Sequence, residues 1–187
     1  ELPWATRALI AMSGFFQKYT LVLIALIVLT VFLVRLYGTT EKGGPRLARA
    51  QLHLPIVGGI VRMSNASQFA HTMSTLLSAG MPILQAIDAS GRTMSNLCMA
   101  QEVLDTLSGV ESGRTFGECL SYSREMPAML AQMTAVCETT GSMESTLQVL
   151  AEYYDNETDL RAKRALSLLE PALIVVLAVF VVFILMA

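Results

Sequence analysis

From Gly141 to Ala187 the chain reads as one helix that begins amphipathic and ends wholly apolar, so its two halves must meet different surroundings. Ser142 can cap the start. Met143, Leu147, Leu150 and Tyr154 recur at helical spacing, which predicts one apolar face packed on other helices. From Asp155 to Arg164 the sequence turns polar, and Glu157 with Arg161 and Asp159 with Lys163 stand four apart, acid first. That arrangement supports a solvated, free-standing helix. Past Arg164 the only ionisable residue is Glu170, and Ala172 to Ala187 is unbroken apolar sequence, able to cross most of a hydrocarbon core of roughly 30 Å. The helix is expected to start in water and end in lipid.

A second apolar run, Tyr19 to Val34, is interrupted only by Thr20 and Thr30 and rises about 24 Å as a helix, enough to span if Lys18 and Arg35 snorkel. A cleaved signal would carry its charges ahead of a shorter core, whereas here a basic residue follows directly. The competing reading is a buried soluble helix. Residues 1–18, with Pro3, Trp4, Phe15 and Phe16 beside Arg7 and Lys18, suit a membrane interface. Charged residues are 15% of the chain against roughly 25% in soluble domains, which fits membrane segments joined to a smaller soluble part. Arg35, Lys42, Arg46 and Arg49 follow the first run, and Arg161, Lys163 and Arg164 precede the second. By the positive-inside rule the region between the spans is cytoplasmic, although Arg7 and Lys18 weigh against that count. Because the chain begins with Glu and stops inside an apolar run, it is expected to be part of a longer protein.

Between the spans, Gly38 to Pro45 is a break, after which Arg46, Arg49 and Arg62 accompany Leu47, Leu52, Leu54 and Ile56, as expected near a lipid surface. Five short helices should then lead into the last one. Met63, Ala66, Phe69, Ala70, Met73, Leu76 and Leu77 form the first stripe, which Gly80 ends. Pro82 opens a second helix that fades at Gly91. Ser95 or Asn96 can cap a third with Leu97, Ala100, Val103, Leu107 and Val110 as its face and Gly113 beyond it. Thr115 and Glu118 fit a capping box for a fourth. Pro127 opens a fifth, with Met126, Met129, Leu130, Met133, Val136 and Cys137 as its stripe and Gly141 as its stop. No stretch alternates with period two for long enough to argue a strand. The expected fold is all-α: an integral membrane protein with a six-helix antiparallel cytoplasmic bundle between two transmembrane helices. Its segments are 1–18 at the interface, 19–37 transmembrane, 38–62 a linker at the membrane surface, 63–164 the bundle and 165–187 transmembrane.

Chemistry is sparse. His53 and His71 lie far apart without a carboxylate or thiol at ligand spacing, so neither metal nor cofactor is expected. No hydrolase motif or phosphate-cradling glycine loop is present, and no catalytic residue is assigned. Net charge is −2 with scattered basic residues, which argues against nucleic acid. Cys98, Cys119 and Cys137 fall in helical patterns and read as small buried hydrophobes in a reducing compartment. Asn65-Ala66-Ser67 and Asn156-Glu157-Thr158 match the glycosylation pattern but on a cytoplasmic side read better as caps or solvated turns. The methionines form either core or an adaptable binding surface, and their spacing favours core. Two acids stand out. Glu138 sits at the unfavourable end of the fifth helix, where it is either held by a partner or simply solvated. Glu170, before Pro171 inside the last apolar run, is either a partner site or an interfacial structural residue.

Leu54-Pro55-Ile56-Val57-Gly58, Leu76 through Leu84 with Gly80 and Pro82, Glu138-Thr139-Thr140-Gly141, and Leu168-Leu169-Glu170-Pro171 before an apolar helix together resemble the type II secretion F family. This is the PilC/GspF group of inner-membrane platform proteins of type IV pili and type II secretion. The resemblance covers roughly 54–187 and implies one of the two bundle modules such proteins usually carry. Cys137 stands where many relatives have Gly. The resemblance further implies a non-enzymatic scaffold, multi-pass in the inner membrane, that couples a cytoplasmic assembly ATPase to pilin or pseudopilin subunits. Other inner-membrane assembly proteins, membrane lipid and further copies of itself would be its remaining partners, with Glu138, Gly141, Glu170, Pro171, Gly80 and Pro82 as motif residues. The alternative is a two-span signal transducer with a helical cytoplasmic domain.

Overall fold

The computed structural model describes residues 26, 29 and 43–186, the side chains of 172, 179, 180 and 183–186 excepted. The expected span 19–37 and the segment 1–18 therefore lie outside the described residues, apart from Leu26 and Leu29, which are helical and exposed. The described chain is all-helical: α1 (Gly43–His53), α2 (Val57–Ser78), α3 (Ile83–Thr93), α4 (Leu97–Glu111), α5 (Phe116–Ser121), α6 (Ala128–Thr140) and α7 (Met143–Met186). Two compact units result, one of Gly44–Lys163 and one that takes in Arg164–Ala187 with the chain up to Gly43.

In the Gly44–Lys163 unit each helix gives its apolar stripe to one core. Ala66, Phe69, Ala70 and Met73 of α2 are buried with Ala86 and Ile87 of α3, Met99 and Val103 of α4, Phe116 and Leu120 of α5, Leu130 of α6, and Leu147, Leu150, Ala151 and Tyr154 of α7. Spacings of three and four along each helix put these residues on one side. Neighbours in sequence are neighbours in space from α2 through α6. Ser67 donates to the Ala151 carbonyl (3.2 Å) and to Asp155 (2.6 Å), and Ser74 donates to the Glu144 carbonyl (2.9 Å). Ascending numbers on α2 meet descending ones on α7, so the two run in opposite directions.

Several faces differ from the sequence reading. The stretch taken as a linker is helical at α1, and its Ala48 and Leu52 are buried. On α6 the buried face is Leu130, Ala131, Thr134 and Cys137, while Met129, Met133 and Val136 are exposed. The helix is rotated because the backbone of α5 lies directly on it: a Cβ at Gly117 would stand 2.4 Å from Ala135 Cα. That approach selects the small-residue face. Leu97, the first residue of α4, is likewise exposed and Met99 takes its place in the core. The polar part of α7 is not free-standing, since Asp155 accepts from Ser67 and a Cβ at Gly59 would stand 2.6 Å from Arg161 Nη1. Glu157 and Arg161 do form the expected pair, at 2.8 Å. Among the described residues no helix is long and apolar enough to cross a membrane.

Asn65 neither caps a helix nor sits in a solvated turn. It is buried in α2, where its Nδ2 donates to the Val61 carbonyl (2.8 Å) and its Oδ1 accepts from the Asn96 N–H (2.8 Å). Asn96 caps α4 by accepting from Cys98 N–H (3.0 Å) and Met99 N–H (3.2 Å), and its own amide donates to the Ala48 carbonyl (3.0 Å). One buried asparagine thus ties α1, α2 and α4. All three cysteines are free; Cys119 and Cys137 are buried, and burial pushes the Cys137 thiol pKa up.

Asn96→Ala should lower stability by about 2–3 kcal/mol, because it leaves the α4 start and the Ala48 carbonyl without partners in a dry place. Chemical denaturation measures this, and an unchanged midpoint would mean the network carries no weight. A second expectation concerns Tyr154, which is 1% exposed and whose hydroxyl is pushed up to about 12 by burial and then by Tyr153. The folded protein therefore keeps a proton that the unfolded chain releases near pH 10. Stability present below that value should fall by roughly 2–3 kcal/mol as pH rises from about 10 to 12. Tyr154→Phe should flatten this alkaline limb, as read from melts across that range.

Candidate functional site

The four motif residues of the Gly44–Lys163 unit that sequence singled out all sit at helix ends. Glu138 belongs to the last turn of α6, where its charge opposes the helix dipole. The close contact of Gly117 with Ala135 brings the start of α5 within its reach. Glu138 Oε1 accepts from the Phe116 N–H (3.0 Å) and Oε2 from the Gly117 N–H (3.1 Å), while Thr115 Oγ1 accepts from the Glu118 N–H (3.3 Å). Three orphan donors of a six-residue helix are thereby satisfied, two of them by a carboxylate at the favourable, positive end of that helix. The partner holding Glu138 is the chain itself.

Three residues on, Gly141 has φ 71° and lets the Ser142 N–H reach back to the Cys137 carbonyl at 3.1 Å. Gly80 has φ 78°, and the Met81 N–H reaches the Leu76 carbonyl at 3.0 Å. Both are left-handed endings that a side chain would strain. Pro82 is the residue before α3, and its carbonyl accepts the Ala86 N–H at 3.0 Å. Since α2 and α7 run oppositely, the α2 end with Gly80 and the α7 start beside Gly141 share one end of the unit. Glu170 and Pro171 fall in the other unit, in α7, and are exposed.

Sequence reasoning missed a polar network centred on Glu102. Its Oε2 accepts from the Ser123 hydroxyl and from the Glu125 N–H (3.0 Å), and Glu125 pairs with Arg62 at 2.7 Å. This ties α4, the α5–α6 loop and α2. A cleft of about 380 Å³ opens beside it, lined by Glu102, Asp105, Thr106, Arg114, Cys119, Tyr122, Ser123 and Arg124. No spacing rule links residues 62, 102 and 125, so no signal in the sequence pointed to it. Among the described residues no group of three or more His, Cys, Asp and Glu side chains is placed to hold a metal.

Residues 69–187 match the family model described as type II secretion system protein F. The chain is similar to the type IV pilus assembly protein PilC of Pseudomonas aeruginosa, 32% identical over 97% of this chain and 49% of the relative. It is equally similar to the type II secretion system protein F of Vibrio cholerae, 32% identical over 100% of this chain and 46% of the relative. The PilC of Thermus thermophilus is 31% identical over 97% of this chain and 45% of its own length. The chain thus spans about half the length of the relatives it matches.

Glu138→Ala should cost about 2 kcal/mol of stability by leaving two α5 donors open, and Glu138→Gln, which keeps one good acceptor, about half as much. Urea midpoints of the two variants check the order. Equal midpoints for both variants and the parent would mean the carboxylate does not hold α5.

Proposed function

This chain belongs to the type II secretion system protein F family, and we propose that it is a non-enzymatic inner-membrane platform of a type IV pilus or type II secretion machine. The observation that carries the reading is the family match over 69–187, alongside 32% identity to proteins of both machines across nearly the whole chain. In this reading 63–164 is a six-helix antiparallel bundle in the cytoplasm and 19–37 and 165–187 are transmembrane helices. The bundle meets a cytoplasmic assembly ATPase, and the membrane part meets pilin or pseudopilin subunits, other inner-membrane assembly proteins and further copies of itself. Support for coupling comes from α7, which continues from Met143 to Met186 as one helix. A helix is stiff along its axis, so in this reading a displacement of its first turns is carried along it as far as Pro171, where one backbone hydrogen bond is missing.

Glu170 is the residue we assign to a membrane-held partner. It is exposed on α7, with Leu166, Leu169 and Leu173 also exposed. Pro171 has no N–H and its ring crowds the preceding turn, so a backbone carbonyl there lacks its helical donor. A carboxylate beside an open carbonyl offers acceptors only. The complement is a cation, and the positively charged amino terminus of a pilin fits. In a medium of low dielectric that pair is stronger than in water, although desolvation removes part of the gain.

Copurification tests the reading. The full protein should bring down a pilus or secretion ATPase; recovery of a kinase instead would favour the two-span transducer and end this proposal. Glu170→Gln should leave the protein folded and in the membrane while filament assembly falls. Normal assembly would make Glu170 a bystander, and loss of the protein from the membrane would make it structural.

A further inference from the structure

The turn between α1 and α2 turns its apolar side chains outward. Leu54, Ile56 and Val57 are 51%, 55% and 45% exposed although the core lies one turn away at Leu52. Its backbone does not relax. Ile56 has φ 71° and ψ −58°, with the Val57 N–H donating to the Pro55 carbonyl at 2.8 Å, a γ-turn conformation that β-branched residues avoid. Gly58 pins the turn from behind, because a Cβ there would stand 2.2 Å from the Leu52 carbonyl oxygen. The exposed apolar tip is therefore a consequence of tight packing underneath it.

The stretch of chain that carries this tip is charged with one sign. From Gly43 to Ile87 the sequence contains no Asp or Glu. Arg46, Arg49 and His53 are exposed on α1 at spacings of three and four, while its Ala48 and Leu52 are buried, and the His53 ring Nδ1 is bonded to the Arg49 carbonyl at 2.8 Å. Behind the turn, Gly59 lies against the Arg161 guanidinium, which pairs with Glu157, and Lys163 follows two residues later. Arg62 is occupied by Glu125. The pairings of Gly59 with Arg161, Ser67 with Asp155 and Ser74 with Glu144 put the tip at the opposite end of the unit from Gly80 and Gly141. Arg161 and Lys163, among the last residues of the unit, belong to that end.

We propose that the α1–α2 turn is a lipid-facing wedge: Leu54, Ile56 and Val57 enter the interfacial layer of an anionic membrane, and Arg46 and Arg49 contact its phosphate headgroups. An apolar tip on a stretch that carries exposed arginines and no Asp or Glu of its own is what such a surface attracts, by area buried and by charge together. The inference rests on the membrane reading above and adds which residues touch lipid and which lipid charge they need.

The test uses the full chain, its three cysteines replaced by Ala, in vesicles of phosphatidylethanolamine and phosphatidylglycerol. Spin labels are attached singly through Leu54→Cys, Ile56→Cys, Gln148→Cys and Val176→Cys. Collision with oxygen is compared with collision with a water-soluble nickel chelate. Labels at 54 and 56 should favour oxygen severalfold over the label at 148 and approach the one at 176. In vesicles of phosphatidylcholine alone that preference should fall at 54 and 56 and hold at 176. A lipid signal at 176 with a water signal at both 54 and 56 overturns the wedge and leaves the membrane reading standing. A water signal at 176 overturns both. Labels at 54 and 56 shielded from both reagents would put protein on the tip and overturn the lipid assignment, and no response to lipid charge would overturn its headgroup half. Two independent sites keep the result readable if one variant misfolds.

Discussion

A helix leaves its first N–H groups and last C=O groups without partners, and a unit that includes helices of 11, 15, 6 and 13 residues has many such ends. Helices this short are marginal on their own, so each end must be satisfied by something the fold brings to it. Asn96 closes the start of α4 and binds the Ala48 carbonyl and Asn65 at the same time. Thr115, the cap of α5 itself, and Glu138, reaching over from α6, together close the start of α5. Gly80, Gly113 and Gly141, all with positive φ, close the ends of α2, α4 and α6. Capping and tertiary packing are here the same contacts, which is how a six-residue helix survives in the middle of the chain.

Close backbone approach is the second theme, and it follows from the first. For Glu138 to reach the α5 donors, α5 must lie almost on α6, and Gly117 against Ala135 permits that. The same contact turns Thr134 and Cys137 inward and leaves Met129, Met133 and Val136 on the surface. At the other end of the unit Gly58 lets α2 begin under the Leu52 carbonyl, with Ile56 displaced into an unfavourable backbone region as the result. Each glycine moves the strain or the exposure of side chains several residues away.

The helices of the unit, their order and most of their stops were legible in the sequence, because periodicity and end chemistry are local. Ala66, Phe69, Ala70 and Met73 announce a face at spacings of three and four, and Thr115 with Glu118 announces a start. Glu138 was legible as an anomaly, a carboxylate at the wrong end of its helix, though not its acceptor role toward α5. Where two faces of one helix were both apolar, as on α6, pattern placed Leu130 and Cys137 correctly but added Met129, Met133 and Val136, since apolarity does not say which face a neighbour's backbone can approach.

The sequence by itself determined that the Gly44–Lys163 unit is built from short, amphipathic helices, that Gly80 and Gly141 end two of them, and which family it resembles. These depend on interactions within a turn or two of chain. Tertiary structure alone decided that Asn65 is buried against Asn96, that Glu102 gathers Ser123 and Glu125 while Arg62 answers Glu125, and that Leu54, Ile56 and Val57 face outward. Each joins residues far apart in the chain or depends on room left by a distant backbone. A burial or a buried hydrogen bond of that kind exists only after the helices have packed, and no spacing along the chain encodes it.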